Sequence, residues 1–340
     1  MGKSNGHFSI VLNTVGLVLL LTSFSDAQVD GHKTRMLRIS EDNDFINVWG
    51  HGTDRWYSHG LRLEFFQTTT NQSKFILDRF FARVGGDATD TYGWGFSHVF
   101  TTPSDITKNL PDLWDYPYAG QLFFTRTLHS SNPRSKTSIQ SELSIGLLGP
   151  ASMARELQVF VHKKINDELP MGWNSQWEND LIINYTSAIE QQLVEKRWFD
   201  LIVGARVAAG SSLIAGSAHA LLRFGKRNSY FNGLISQFSL VGSTENEWQL
   251  YITLSPCVEY WGRNALVEGG MFRKTKSREI SDGGPEFRRT PARYLLNVNY
   301  GLVLASKNTG ISITQKSLSS FVKGLPRHEV GNITLYFRMP

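Results

Sequence analysis

From Met36 onward the chain alternates apolar and polar side chains, with Leu37 and Ile39 on one side and Arg38, Ser40, Asp42 and Asp44 on the other. Period two is the pattern of a half-buried strand, because successive Cβ atoms point to opposite faces of a sheet. Residues 57–68 repeat it, setting Tyr57, His59, Leu61, Leu63 and Phe65 against Ser58, Gly60, Arg62 and Glu64 after a polar turn at 50–54. Further strand candidates follow at 92–101, 118–128, 137–147, 181–194, 199–209, 213–224, 248–260, 265–273, 294–305, 311–316 and 332–338. Several run to about ten residues, the length a tilted strand needs to cross a bilayer. Thirteen segments qualify, and single-chain bacterial barrels have even strand numbers, so one is surplus and twelve strands are expected.

The joining segments are uneven. Those at 71–91, 102–117, 150–180 and 277–291 are long, while others are short and carry Gly, Asn, Asp or Ser, as tight turns require. Short turns at one end and long loops at the other mark an outer-membrane barrel. The expectation is therefore an all-β fold, a twelve-stranded antiparallel transmembrane β-barrel with a helix in one long extracellular loop. Asn332 to Phe337 would close it against the first strand. A secreted β-sandwich or lipocalin-like barrel shares the same weak per-strand pattern and is the alternative.

The stretch 149–179 breaks the alternation. Leu157, Val161 and Ile165 recur at four-residue spacing, Ser152 is a candidate N-cap, and Pro170 forces Leu169 out of helical geometry. Gln158 and His162 stand at i and i+4 and so share one helix face. Glu168 follows His162 by six residues, a rotation of about 120° on an unbroken helix. It can join that face only from beyond a bend or the helix end.

Composition narrows the picture. Of 340 residues 12% are aromatic, only 19% are charged and 30 are glycine, which suits a barrel with aromatic girdles. The net charge of +5 lacks the dense basic stripe of a nucleic-acid binder, so no nucleic-acid partner is expected and an anionic lipid is the better match. The single cysteine, Cys257, excludes an internal disulfide and a cysteine zinc site, and it reads as a strand residue. Residues 1–27 read as a signal peptide, with Lys3, a short apolar run and small residues up to Ala27; an uncleaved anchor is the alternative. Residues 28–340 then form one outer-membrane barrel domain. No later stretch approaches the ~20 apolar residues of a membrane helix, so an exported membrane protein would have to cross with strands.

Candidate chemistry is sparse. Glu41, Asp42, Asn43 and Asp44 offer the hard oxygen ligands that calcium prefers, but without EF-hand spacing, and by themselves they read as a polar barrel mouth. Serine-hydrolase elbows, His-Glu-x-x-His and phosphate-binding glycine loops are absent.

Together these pieces resemble the outer-membrane lipid A 3′-O-deacylase family. The resemblance rests on Asn43-Asp44, GTDRWYSHGLRL at 52–63, YAG at 118–120, GPASMARELQVFVH at 149–162, Glu168, and GW-x-x-Q-x-EN at 172–179. It implies a calcium-dependent ester hydrolase in the bacterial outer membrane that releases 3′-linked acyl chains from lipid A of lipopolysaccharide, acting as a monomer. The family's functional residues fall on Asn43, Asp44, Ser58, Lys108, Gln158, His162 and Glu168. By resemblance, His162 activates a water, Ca2+ is held by Asp44 and Glu168, and Gln158, Asn43 and Ser58 orient the base, water or metal shell. Lys108 meets a lipid A phosphate or the oxyanion. Ser58 is the alternative nucleophile, and Asn109 stands where one family member has a second basic residue. A non-enzymatic channel or structural barrel, or a phospholipid-directed esterase, are the competing functions.

Overall fold

The computed structural model describes residues 34–44, 47, 55–69, 73, 75–238, 248–273 and 289–339. Residues 1–27, read above as a signal peptide, the turn at 50–54 and most of the loop at 277–291 lie outside the described residues. Alternation resolves into twelve strands: β1 (Thr34–Asn43), β2 (Trp56–Thr69), β3 (Thr89–Thr102), β4 (Ala119–Asn132), β5 (Thr137–Leu148), β6 (Asp180–Lys196), β7 (Phe199–Gly210), β8 (Leu213–Lys226), β9 (Gln249–Asn264), β10 (Tyr294–Ala305), β11 (Thr309–Leu318) and β12 (His328–Met339). Each pairs antiparallel with the next, and β12 returns to β1 with Leu37 opposite Phe337 and Asp42 opposite Asn332, closing the barrel. Among the described residues three α-helices accompany them, α1 (Ala154–Ile165), α2 (Leu234–Gln237) and α3 (Ala265–Glu268).

The surplus strand candidate is 265–273. Its first residues form α3, because the Asn264 side chain accepts a hydrogen bond from the Leu266 N–H and turns the chain into a helix where β9 ends.

Strand alternation separates two surfaces. Leu63, Phe65, Trp94, Phe96, Phe124, Ile145, Leu181 and Ile183 point outward and are exposed, forming an apolar belt. Inside, Glu64 binds Arg38 and Arg62, Arg62 also binds Glu142, and Lys316 binds Asp42 at 2.6 Å. An apolar exterior around a polar interior is the inverse of a soluble barrel and fits a membrane span. Among the described residues no helix is long and apolar enough to cross a membrane. Tyr260 and Tyr294 at one rim and Trp198 and Trp248 at the other are exposed aromatics of the kind that settle at membrane interfaces.

One rim carries short turns at 133–136, 197–198 and 306–308, and the other carries the long loops 103–118 and 149–179. The first is the periplasmic end by the usual barrel rule. Two long segments nonetheless lie at that end, 70–88 and 227–248, so the expectation that every long segment lies opposite the short turns fails. Neither hangs free in its described part: residues 75–85 fold back on the outer wall, and the described part of 227–248 enters the barrel mouth.

There Leu234 and Ile235 of α2 pack on Met36, Phe66 and Tyr336. Arg223, fully buried, binds Asp200 at 3.0 and 2.5 Å and donates to the Asn228 carbonyl. At the long-loop end Trp56, Tyr116, Trp261, Val267 and Phe321 form an apolar plug. Between the plugs lies a polar cavity of about 590 Å3 lined by Arg62, Glu142, Glu190, His219, Cys257 and Lys316 among others. Cys257 is a β9 residue, as its sequence context implies.

Asp200→Ala leaves the buried Arg223 guanidinium without its bidentate partner, a loss of about 3–5 kcal/mol. The heat-modifiable folded band on a denaturing gel is expected to convert to the unfolded form at a clearly lower temperature than in the native protein.

Candidate functional site

The outer wall near the long-loop rim departs from the apolar belt. On β3 the outward positions run Trp94, Phe96, His98, Phe100, and on β2 His59 is the register partner of Phe100. Histidines there would face lipid unless something covered them. The cover is the 149–179 segment, and His98 is buried with its Nε2 donating to the Ser152 carbonyl at 3.0 Å.

The chain makes this docking close. A side chain at Gly120, outward on β4, would run into the Ser152 hydroxyl and the Ala154 methyl, so glycine lets α1 approach the wall. Gly149 has φ +91°, and its N–H bonds the Gly120 carbonyl at 2.9 Å. Phe100, Tyr118, Ala154 and Trp173 pack together beneath the helix. Asn179 Oδ1 accepts from the Ala151 N–H, and Trp177 Nε1 donates to the Leu266 carbonyl, so the GW-x-x-Q-x-EN stretch pins both ends of the loop.

The helix differs from its expected form. Ser152 is not the N-cap: Pro150–Ser152 is a separate 3-10 turn, Met153 precedes α1 in the left-handed region, and the Ser152 hydroxyl donates to the Gly149 carbonyl. Nor is the stripe Leu157, Val161, Ile165 the buried face. That face is Ala154, Gln158 and His162, with the last two only 3% exposed, while Phe160 and Val161 point outward. Polar groups are turned to protein and apolar ones away, as happens when the outer medium is lipid or a site lies underneath.

Glu168 satisfies the bend condition. Asn166 takes the left-handed conformation (φ 55°) and ends the helix four residues before Pro170, and the chain turns back so that the Glu168 carbonyl meets His162 Nδ1 at 2.5 Å. A carbonyl can only accept, so Nδ1 carries a proton and Nε2 is the ring nitrogen turned away from that contact. The Glu168 carboxylate itself is exposed, and the contact is made by its backbone.

Trp173 Nε1 donates to Gln158 Oε1 at 2.7 Å, which fixes the amide with its NH2 facing away from the indole. On the strand side β2 is bulged between Tyr57 and His59. The bulge turns Tyr57 inward, against the strict alternation expected there, where its hydroxyl donates to Asp42 at 3.0 Å. It leaves Ser58 as the extra residue, buried, with its hydroxyl 2.6 Å from that of Thr102. Asn43 stands directly across from His59. Asp44 is completely buried and accepts the Arg55 N–H at 2.8 Å.

The two halves are joined by a row of rings. His59 stacks on Phe100 at 4.8 Å, Phe100 meets Trp173 edge-on at 5.8 Å, and Trp173 holds Gln158. Asn43 beside His59 and Gln158 beside Trp173 thus stand at the two ends of this row on the outer side of the wall. Lys108 lies in the neighbouring loop, its carbonyl beside Gly172, but its ammonium binds both oxygens of Asp112 at 3.1 Å. Those hydrogen bonds hold the Lys108 pKa above the usual lysine value.

Sequence reasoning missed His59, His98, Phe100 and Trp173; Glu41, named there with the acidic cluster, binds His59 Nδ1 at 2.9 Å. The available signal was a histidine in the lipid-facing register of β3, between Phe96 and Phe100. Among the described residues no group of three His, Cys, Asp or Glu could hold a metal. A calcium ion would instead draw on the buried Asp44 carboxylate and the neutral oxygens of Asn43 and Ser58, a hard donor set that suits it.

Residues 14–339 match the family model described as "Outer membrane protein LpxR". Compared with curated proteins, the chain matches none. Among solved structures it is similar to LpxR from Salmonella typhimurium, with TM-score 0.70, 16% identity, and 89% of this chain and 99% of that one covered. The translocator domain of the autotransporter NalP from Neisseria meningitidis aligns at TM-score 0.41 and 9% identity, covering 99% and 98%.

Gly120→Val forces α1 off the wall while leaving the β4 ladder intact. Limited proteolysis is expected to cut within 150–170 at least about tenfold faster than in the native protein, with the folded barrel band unchanged on a gel.

Proposed function

Because the chain belongs to the outer membrane protein LpxR family and is a barrel of the outer membrane, we propose that it is an ester hydrolase releasing 3′-linked acyl chains from lipid A. The single observation that carries this reading is His162, buried on the lipid side of the wall with its ring oriented by the Nδ1–H bond to the Glu168 carbonyl. A base outside the lumen, beside the apolar belt, fits a substrate whose acyl chains lie in the membrane.

His162 Nε2 takes a proton from water, and the hydroxide adds to the ester carbonyl carbon. The tetrahedral intermediate then collapses, the acyl C–O bond breaks, and His162 returns the proton to the sugar oxygen. The products are a fatty acid and a free hydroxyl. The Gln158 NH2, oriented by Trp173, is placed to donate to the developing oxyanion. Ser58 and Asn43 orient the water or the ion. Asp44, with oxygens of Asn43 and Ser58, would hold Ca2+, which when bound supplies Lewis-acid polarisation of the carbonyl. Lys108 reaches a lipid A phosphate by exchanging Asp112 for it. One chain provides all these residues, so a monomer is sufficient. The channel reading is less well supported, since apolar and ion-paired plugs lie at both ends of the lumen.

His162→Ala is expected to lower deacylation about 10²- to 10⁴-fold without loss of the folded barrel. Chelation should abolish the activity and added calcium restore it, both read by mass spectrometry of lipid A. Glu168→Gln keeps the carbonyl that orients His162, so activity within about threefold of native is expected; a loss as large as that of His162→Ala would assign the carboxylate to the metal.

A further inference from the structure

Arg126 is the second polar intrusion on the outer wall. It is the register partner of outward Trp94 on β3 and of Leu143 on β5, so its guanidinium leaves the barrel on the lipid side, about midway along β4. A bare guanidinium is costly there. It is neutralised by Asp78, which it binds at 2.9 and 2.5 Å, and it lies over the Trp94 ring at 4.5 Å.

Asp78 comes from a 3-10 turn, Ile76–Phe80, in the segment that folds back on the wall. Phe81 packs with Tyr92, Leu128, Leu143 and Tyr185, and the Ala82 carbonyl accepts from Ser141. Phe75 meets Trp94 edge-on at 5.2 Å. With Asp78 and Phe81 turned inward, the remaining apolar side chains are turned out: Ile76 is 63% exposed and Phe80 76%. Arg79 is exposed beside them, whereas Arg83 is turned back to the Asp78 carbonyl and Asp90. Apolar tips next to an exposed cation, continuous with the belt at Trp94, match a bilayer interface carrying anionic headgroups.

We propose that residues 75–81 are an interfacial anchor seated in the periplasmic leaflet, with Ile76 and Phe80 among the acyl chains and Arg79 at an anionic phospholipid headgroup. The Asp78–Arg126 pair holds the segment in place. The inference is independent of the proposed hydrolysis, since no residue of that site takes part.

The test uses the full barrel with Cys257→Ser, carrying a nitroxide at Phe80→Cys or at Ile76→Cys. It is reconstituted in vesicles of phosphatidylethanolamine and phosphatidylglycerol. Collision rates with oxygen, which concentrates in lipid, and with a water-soluble nickel chelate give the depth of each label. Both labels are expected to collide with oxygen at least about threefold more readily than with the chelate. Adding Asp78→Asn should reverse that ratio at position 80 while the folded band persists. Chelate-dominated collisions at both positions with Asp78 intact would overturn the proposal. If Asp78→Asn does not fold, the two labels on native Asp78 decide alone.

Discussion

Hydrocarbon offers no water to a polar group, and this constraint organises the molecule. It demands that every strand pair on both sides, which the β1–β12 ladder completes. It also demands that any polar side chain on the outer wall be covered or paired. Two places on β3 and β4 break the apolar belt, and each has its cover. His98 lies under the 149–179 loop, and Arg126 lies under residues 75–81. The two devices share strands and differ in consequence: one pairs two charges, while the other encloses His162, Gln158 and the bulged end of β2.

Energetic logic separates scaffold from chemistry. Inside the barrel, charges are matched within hydrogen-bond distance, as Arg223 with Asp200 and Lys316 with Asp42. Beneath α1 the His162 ring is oriented by the Glu168 carbonyl, and the Gln158 amide is oriented by Trp173 with its buried NH2 left without a partner among the described residues. Burial without full pairing costs stability. It is the arrangement expected where a substrate completes the set.

Much of the fold was legible in the sequence, because period-two alternation runs through most of each strand and is broken only locally, as at the β2 bulge. Strand ends and the surplus segment at 265–273 were not, since a local cap at Asn264 decides whether the chain continues as strand or turns to helix. The helix was legible in position and misread in orientation. A stripe of Leu157, Val161 and Ile165 implies a buried apolar face only if the medium outside is water. The bulge at Ser58 and the left-handed Asn166 were invisible for a related reason: both depend on what packs against the chain, not on residue type. The rotation argument for Glu168 correctly required a bend, and the contact beyond it is made by the backbone, which residue identity does not record. His59 and Trp173 were overlooked because their weight comes from ring contacts across strands.

The central claim is that a base on the lipid side of the wall directs water at an acyl ester of lipid A. Incubating the purified barrel with calcium and lipid A in H2(18)O, and weighing both products by mass spectrometry, tests it most directly. The account predicts loss of a 3′-linked acyl chain, with 18O in the released fatty acid and none in the sugar hydroxyl. Unaltered lipid A, or 18O on the sugar, would contradict it.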